Sequence, residues 1–233
     1  MNIWVAYGAL LTGVTVWLLL VRKLTARPWE AQLASGDAGA AGEVTTPPAR
    51  VGLWVFLAVI TSLFGLFISA YYIRMGYGHG HGLTRDWSSF PEPPVLWLNT
   101  ALLILGSVAM QWARAAVTRG RPDRTRVALL TGGWLTIAFL VGQLFAWREL
   151  RMSGIFTPAN PAVAFFYVLT AVHGLHLLGG LIVWGRTVLR MRKTDAEAIE
   201  VLARVRLSVE LCSVYWHYLL LVWLAMFALL LTN

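Results

Sequence analysis

The fold of this chain is decided by two stretches, FFYVLTAVHGLHLLGGLIVW at residues 165–184 and SVELCSVYWHYLLLVWLAMF at residues 208–227. Each is apolar and long enough to cross a bilayer, which takes roughly 20 residues as a helix. Yet His173 and His176 lie inside the first, and Glu210 and His217 lie inside the second. Ionisable residues at membrane depth are costly and mark candidate sites. These four residues are therefore the first candidates for function.

Composition indicates an integral membrane protein. Of its 233 residues, 58% are hydrophobic and only 13% are charged, and long apolar runs recur along the sequence. The net charge of +8 does not indicate nucleic-acid binding, because the basic residues lie in short connections and not on one clustered face. The single cysteine, Cys212, excludes an internal disulfide and a centre built from several thiolates.

The apolar runs predict an all-α, polytopic bundle of transmembrane helices. Residues 1–23 form an N-terminal transmembrane helix. Its basic residues follow the apolar run, the opposite of the order in a signal peptide. Residues 24–51, rich in Ala, Gly, Thr and Pro, form a flexible cytoplasmic linker, and residues 52–233 form a five-helix bundle. The six spans are expected at about 3–21, 52–73, 95–117, 127–147, 162–187 and 208–231.

Loop charge predicts the orientation. Segments 22–51, 114–126 and 186–206 carry 4, 5 and 6 Lys and Arg residues, whereas segments 74–94 and 148–161 carry 2 each. Cytoplasmic loops are enriched in Lys and Arg. The first group is therefore expected in the cytoplasm, and both termini are expected outside.

Three interpretations compete for the buried polar residues. Imidazoles ligate haem iron, copper and zinc, but three His and one Glu are few for a redox centre in a bundle. Buried carboxylates and imidazoles also form proton relays, but a relay across the membrane needs more stations. The third interpretation, hydrogen bonds between helices together with lipid contacts, fits the number of residues best. The spacing puts His173 with His176, and Glu210 with His217, on one face of each helix, so the two helices can face each other.

The motifs resemble those of subunit III of the haem-copper oxidases, the cytochrome c oxidase type. The resemblance covers about residues 52–233. It lies in HGLH at 173–176 with Gly180, in Glu210 followed by YWHY at 215–218 and Trp223, and in LNT at 98–100. Leu220 and Ala146 stand where the family has acidic residues, which is typical of a divergent, bacterial-type member.

This resemblance implies a function. The chain would be an accessory subunit of a proton-pumping terminal oxidase, which transfers electrons from cytochrome c to dioxygen, and would not itself be catalytic. Haem and copper would belong to partner subunits I and II, and the complex could join a larger respiratory supercomplex in the bacterial plasma membrane. The subunit would bind phospholipid and support proton uptake or oxygen access. The candidate lipid-binding or structural residues are His173, His176, Glu210, His217, Trp216, Trp54, Arg204 and Arg206.

Other functions remain open from the sequence. Related chains serve in quinol oxidases and nitric oxide reductases, and the electron donor would bind to partner subunits. From a different class, a small membrane transporter could line its path with the His and Glu faces. The spans contain no internal proline break of the kind transporters use at their binding sites, which argues against this function.

Overall fold

Five long α-helices make up the structure, a computed structural model that describes residues 48–79, 94–152, 161–193 and 199–231. The side chains of residues 77–79, 192–193 and 199–204 lie outside this description. The helices are α1 (Pro48–His79), α2 (Val95–Thr118), α3 (Pro122–Met152), α4 (Pro161–Lys193) and α5 (Ile199–Leu231). All five are long and apolar enough to cross a membrane. This confirms the all-helical, multi-pass class, and the sixth expected span, at 3–21, lies outside the described residues.

The helices extend beyond the expected spans, because a hydropathy window marks only the part of a helix that suits the hydrocarbon layer. Proline defines several true starts: α1, α3 and α4 each begin at one, and Pro94 caps α2. Proline suits the first turn of a helix, where its missing N–H has no partner to lose. Thus α3 begins at Pro122, five residues before the apolar run at residue 127.

A three-residue turn joins α2 to α3. Gly120 has a φ of +64°, a conformation that glycine adopts without a steric penalty. Its N–H donates to the carbonyl of Val117 at 3.2 Å, and the N–H of Arg121 donates to that of Ala116 at 3.1 Å. This pair of bonds is a Schellman motif, which satisfies the last carbonyls of α2 and reverses the chain at once. The two helices therefore form a tight antiparallel hairpin.

Four helices close into a ring. α2 packs against α3 and α5, and α4 packs against the same two helices. Small residues bring α2 and α3 together: a Cβ on Gly132 would lie 2.8 Å from Cε of Met110 and 3.3 Å from the carbonyl oxygen of Gly106. Helices associate in membranes by such close packing, since lipid is as apolar as the side chains themselves. Several buried polar residues lie where these helices meet, among them Thr100, Thr136 and Thr170.

The chain divides into two compact units, residues 1–62 and 63–233, with the boundary inside α1. In the first unit, the described part of α1 presents large apolar side chains to its surroundings, among them Trp54, Phe56 and Val59. The four-helix ring belongs to the second unit. The expected boundaries at residues 23 and 51, and the linker between them, remain a prediction.

Candidate functional site

His173 is completely buried at the centre of an aromatic cage. Its ring centroid lies 5.4 Å from that of Trp223, 5.9 Å from that of Phe139 and 6.4 Å from that of Phe64. Its side chain has no exposed surface, and neither ring nitrogen has a hydrogen-bond partner among the described residues. A buried polar group without a partner costs about 1–3 kcal/mol. In this cage the imidazole acts as an aromatic ring.

Substitution of His173 tests this role. We expect His173→Phe to keep or raise the free energy of unfolding, by up to about 1 kcal/mol, because it keeps a ring and removes two unpaired nitrogens. His173→Ala should lower it by about 3 kcal/mol, since it leaves a cavity between three rings. Unfolding in mixed detergent micelles, followed by tryptophan fluorescence, gives both values. An equal decrease in the free energy of unfolding in the two variants would contradict this role, because it would show that the ring nitrogens make a stabilising hydrogen bond.

His176 makes its bonds within the bundle. Its Nδ1–H donates to the carbonyl of Val172 at 2.7 Å, one turn earlier in α4, and its ring lies 5.8 Å from that of Phe64. Its own carbonyl accepts a hydrogen bond of 2.9 Å from Oη of Tyr215 on α5. The same tyrosine ring lies against Gly180, where a Cβ would come within 2.7 Å of it. The carbonyl of His176 and the space left by Gly180 therefore hold Tyr215 in place, and these contacts join α4 to α5.

Glu210 and His217, on α5, do not join His173 and His176 in one cluster. The Glu210 carboxylate is 3.3 Å from Nη2 of Arg114 on α2, in a half-exposed ion pair. His217 is exposed, and its Nδ1–H donates to the carbonyl of Ser213 on its own helix at 2.7 Å. The predicted site residues are thus not gathered into one cluster. Glu210 pairs with α2, and His217 faces the surroundings of the bundle.

The remaining predicted residues fall into different surroundings. Trp216 is buried, with 2% of its surface exposed, and packs inside the ring. Arg206 is exposed at the start of the apolar part of α5, and Trp54 is 53% exposed in the first unit. The side chain of Arg204 lies outside the description. His217, Trp54 and Arg206 are therefore exposed, whereas Trp216 is buried among the helices.

Three indole–threonine pairs, which the sequence did not reveal, join the helices. The Nε1–H of Trp216 donates to Oγ1 of Thr136 at 2.8 Å, and that hydroxyl donates to the carbonyl of Gly132 one turn earlier. The same arrangement recurs twice, for Trp223 with Thr100 at 3.0 Å and for Trp147 with Thr170 at 3.0 Å. Each hydroxyl donates within its own helix and accepts from a neighbour. These pairs tie α5 to α3, α5 to α2, and α3 to α4.

A fourth tryptophan bonds directly to backbone. The Nε1–H of Trp184 on α4 donates to the carbonyl of Leu129 on α3 at 2.8 Å. The indole reaches this carbonyl only because the residue one turn later is Gly133, where a Cβ would overlap the ring. Gly142 is used in the same way, since a Cβ there would overlap the amide of Asn99, which donates to Oε1 of Gln143 at 3.3 Å. Glycines thus make room for polar contacts between helices.

The candidate metal ligands are dispersed in the part of the chain that the structure describes. No group of three or more His, Cys, Asp or Glu residues there is placed to hold a metal ion. Cys212 is buried, with its Sγ 3.9 Å from Oγ1 of Thr187. Trp–Thr pairs bond between helices, whereas Nε2 of Gln143 and both ring nitrogens of His173 have no partner among the described residues.

Comparison with known proteins supplies the family. The sequence model of cytochrome c oxidase subunit III matches residues 16–232. The chain belongs to this family. The match begins upstream of residue 52, so the family likeness extends into the N-terminal region as well as the five-helix bundle.

Several curated relatives of this subunit III chain are similar to it. One is a cytochrome c oxidase subunit 3 of Corynebacterium diphtheriae, 26% identical over 177 residues, which cover 76% of this chain and 84% of the relative. A cytochrome bo(3) ubiquinol oxidase subunit 3 of Pseudomonas putida is 26% identical over 183 residues, with 76% and 82% covered. A heme-copper oxidase subunit I+III of Aeropyrum pernix is 28% identical over 183 residues. The match covers 77% of this chain but only 22% of that much longer relative.

Proposed function

We propose that this chain is the accessory membrane subunit of a proton-pumping terminal oxidase that passes electrons from cytochrome c to dioxygen, and that it carries no redox centre. The observation that carries the proposal is the subunit III match over residues 16–232. The way the candidate ligands are used supports it: His173 is caged by rings, and Glu210 pairs with Arg114. A helix bundle with its polar groups engaged in this way suits a supporting subunit.

The proposed partners are oxidase subunits I and II, which would hold the haems and copper. The Aeropyrum pernix relative bears the name subunit I+III, so in that protein one polypeptide combines both parts. A fused chain keeps its two parts at high effective concentration, which favours direct contact between them. By analogy, this chain would pack directly against subunit I in the plasma membrane of a bacterium. Both termini would lie on the outer side, as loop charge predicts.

Lipid binding is the second part of the proposal. His217, Trp54 and Arg206 are exposed and would contact bound phospholipid. Arg206, and Arg204 two residues earlier in the sequence, would pair with phosphate. The exposed aromatic side chains on the first half of α1, Trp54 and Phe56, would form an apolar wall along which dioxygen could move to the catalytic subunit. Support of proton uptake would follow indirectly, from keeping the catalytic subunit in its lipid setting.

Deletion of this chain tests the accessory role. We expect the remaining complex to keep its haem absorption spectrum and its initial rate of oxygen consumption. Sustained turnover should fall severalfold, because only support of the catalytic subunit is lost. An oxygen electrode and a reduced-minus-oxidised spectrum measure both, with the re-expressed chain as the control. Loss of haem on deletion, restored by this chain alone, would contradict the proposal.

A quinol oxidase is the second candidate, favoured by the similarity to the ubiquinol oxidase subunit of Pseudomonas putida. The electron donor would bind to partner subunits in either case. The purified complex should oxidise reduced cytochrome c and leave ubiquinol unchanged if the first proposal holds. The opposite preference would establish the quinol enzyme.

A further inference from the structure

A groove runs between α3 and α4 on the surface of the second unit. Its volume is about 320 Å³, and its wall is formed mainly by apolar side chains, among them Leu140, Leu144, Trp147 and Leu178. The two polar residues in the wall have partners within the bundle, since Oε1 of Gln143 accepts from Asn99 and Oγ1 of Thr170 accepts from Trp147. Nε2 of Gln143 is buried and has no partner among the described residues. A molecule in the groove would therefore contact mainly apolar side chains along its length.

Small residues on α4 create this groove. Ala171 and Gly174 lie in its wall, and a Cβ on Gly174 would sit 3.7 Å from Cδ2 of Leu140, in ordinary contact. The rim is made of leucines that are exposed to the surroundings, Leu144, Leu175 and Leu178. Because both helices are membrane spans, the groove opens towards the hydrocarbon layer. An occupant must therefore be apolar at this depth.

The α3 side of the groove continues into a cationic end. Leu140, Leu144, Trp147 and Arg151 recur at the spacing of one helix face. Arg148 is exposed beside them, four residues after Leu144, while Glu149 lies on the opposite face of α3. The helix rises about 16 Å over the eleven steps from Leu140 to Arg151. This is close to the half-thickness of a bilayer core, about 15 Å, so the groove and its cationic end together match one lipid leaflet.

We propose that this groove binds one acyl chain of an anionic membrane phospholipid, whose phosphate lies at Arg148 and Arg151. A cavity of about 150 Å³ holds a benzene molecule, so 320 Å³ holds roughly a dozen carbon atoms of a chain. The arginines favour an anionic headgroup at the level where headgroups lie. The site is separate from the exposed residues of α5 discussed above. It depends only on the membrane-spanning bundle and holds whichever oxidase contains the chain.

Photolabelling of the intact complex tests the site. The probe is phosphatidylglycerol with a diazirine near the middle of one acyl chain, and the labelled peptides are mapped by mass spectrometry. We expect labels on residues 140–147 and 171–178. Gly174→Leu should fill the groove and reduce this labelling roughly tenfold, the effect of losing one well-made contact. The matched control is Gly179→Leu, the same change in the same helix at a position with open space around it, and it should label like the unaltered chain.

The headgroup is tested separately. Replacing both arginines, in Arg148→Gln with Arg151→Gln, should lower labelling by phosphatidylglycerol severalfold and leave labelling by the same phosphatidylcholine probe unchanged. Ala171→Leu provides a second groove-filling variant if Gly174→Leu does not fold. Equal labelling of unaltered and groove-filled chains would overturn the site. So would labelling of the isolated chain but not of the complex, because a partner protein would then cover the groove. Equal labelling by the two lipids in the unaltered complex would overturn the headgroup assignment.

Discussion

Replacing Trp223 with alanine should lower the free energy of unfolding of this subunit by about 3 kcal/mol, the lower part of the range for buried aromatic residues. Trp223 is 1% exposed and contacts rings on two other helices, with centroid distances of 4.8 Å to Phe139 and 5.4 Å to His173. It also donates to Thr100. The loss comes from packing and not from water, because the unfolded helices remain in lipid or detergent.

Two comparisons make this result specific. Trp223→Phe keeps a ring and loses the hydrogen bond, so it should cost about 1 kcal/mol. Trp134→Ala is the surface control, since Trp134 is 65% exposed on α3. Its expected change is within about 0.5 kcal/mol. Unfolding in mixed micelles, followed by circular dichroism so that loss of an indole does not alter the signal, gives all three values. A loss in Trp134→Ala equal to that in Trp223→Ala would contradict the central role of Trp223.

The second large effect is expected at Gly133. Gly133→Ala should lower the free energy of unfolding by about 2–4 kcal/mol, since overpacking alone costs about 1–3 kcal/mol. The added Cβ would overlap the Trp184 indole and force it away from the Leu129 carbonyl, so the hydrogen bond between α3 and α4 would be lost as well. Thermal unfolding of the purified subunit in detergent measures the change.

The control for Gly133 is Gly179→Ala on α4, where a Cβ would meet nothing within 4 Å. This change should be neutral or stabilising by up to about 1 kcal/mol, because alanine favours a helix. A shorter side chain at the partner position, in Gly133→Ala with Trp184→Leu, should recover part of the loss relative to the sum of the single changes. Strict additivity of the two changes would show that the Trp184 ring is not what Gly133 accommodates.

Much of the fold follows from the sequence, because membrane helices are defined by long apolar runs. The five described helices contain the five expected spans, and the motifs HGLH and YWHY are sufficient to indicate the family. The ends of the helices did not follow, since α3 and α5 continue into charged residues beyond the apolar window. Prolines were an available signal for the starts of α1, α3 and α4, whereas α5 begins at Ile199 without one.

The partners of the polar residues were much less predictable. Spacing along a helix shows that Glu210 and His217 share a face, but it does not show which helix that face meets. Glu210 meets Arg114, 96 residues away, and His173 meets Trp223. The threonines at 100, 136 and 170 carry no sequence pattern that marks them as indole acceptors. Their role depends on how the four helices close into a ring, which is a tertiary property.

The three indole–threonine pairs also fix the depth of each helix in the membrane relative to its neighbours. Sliding α5 by one turn along the membrane normal, about 5.4 Å, would carry the N–H groups of Trp216 and Trp223 away from Thr136 and Thr100 together. The hydrocarbon of the bilayer offers no substitute acceptor at that depth. These hydrogen bonds therefore oppose sliding of the helices along the membrane normal, whereas small lateral movements of the helices leave them intact. A neighbouring protein in the membrane would therefore meet a surface on which the residues of different helices keep the same relative depth.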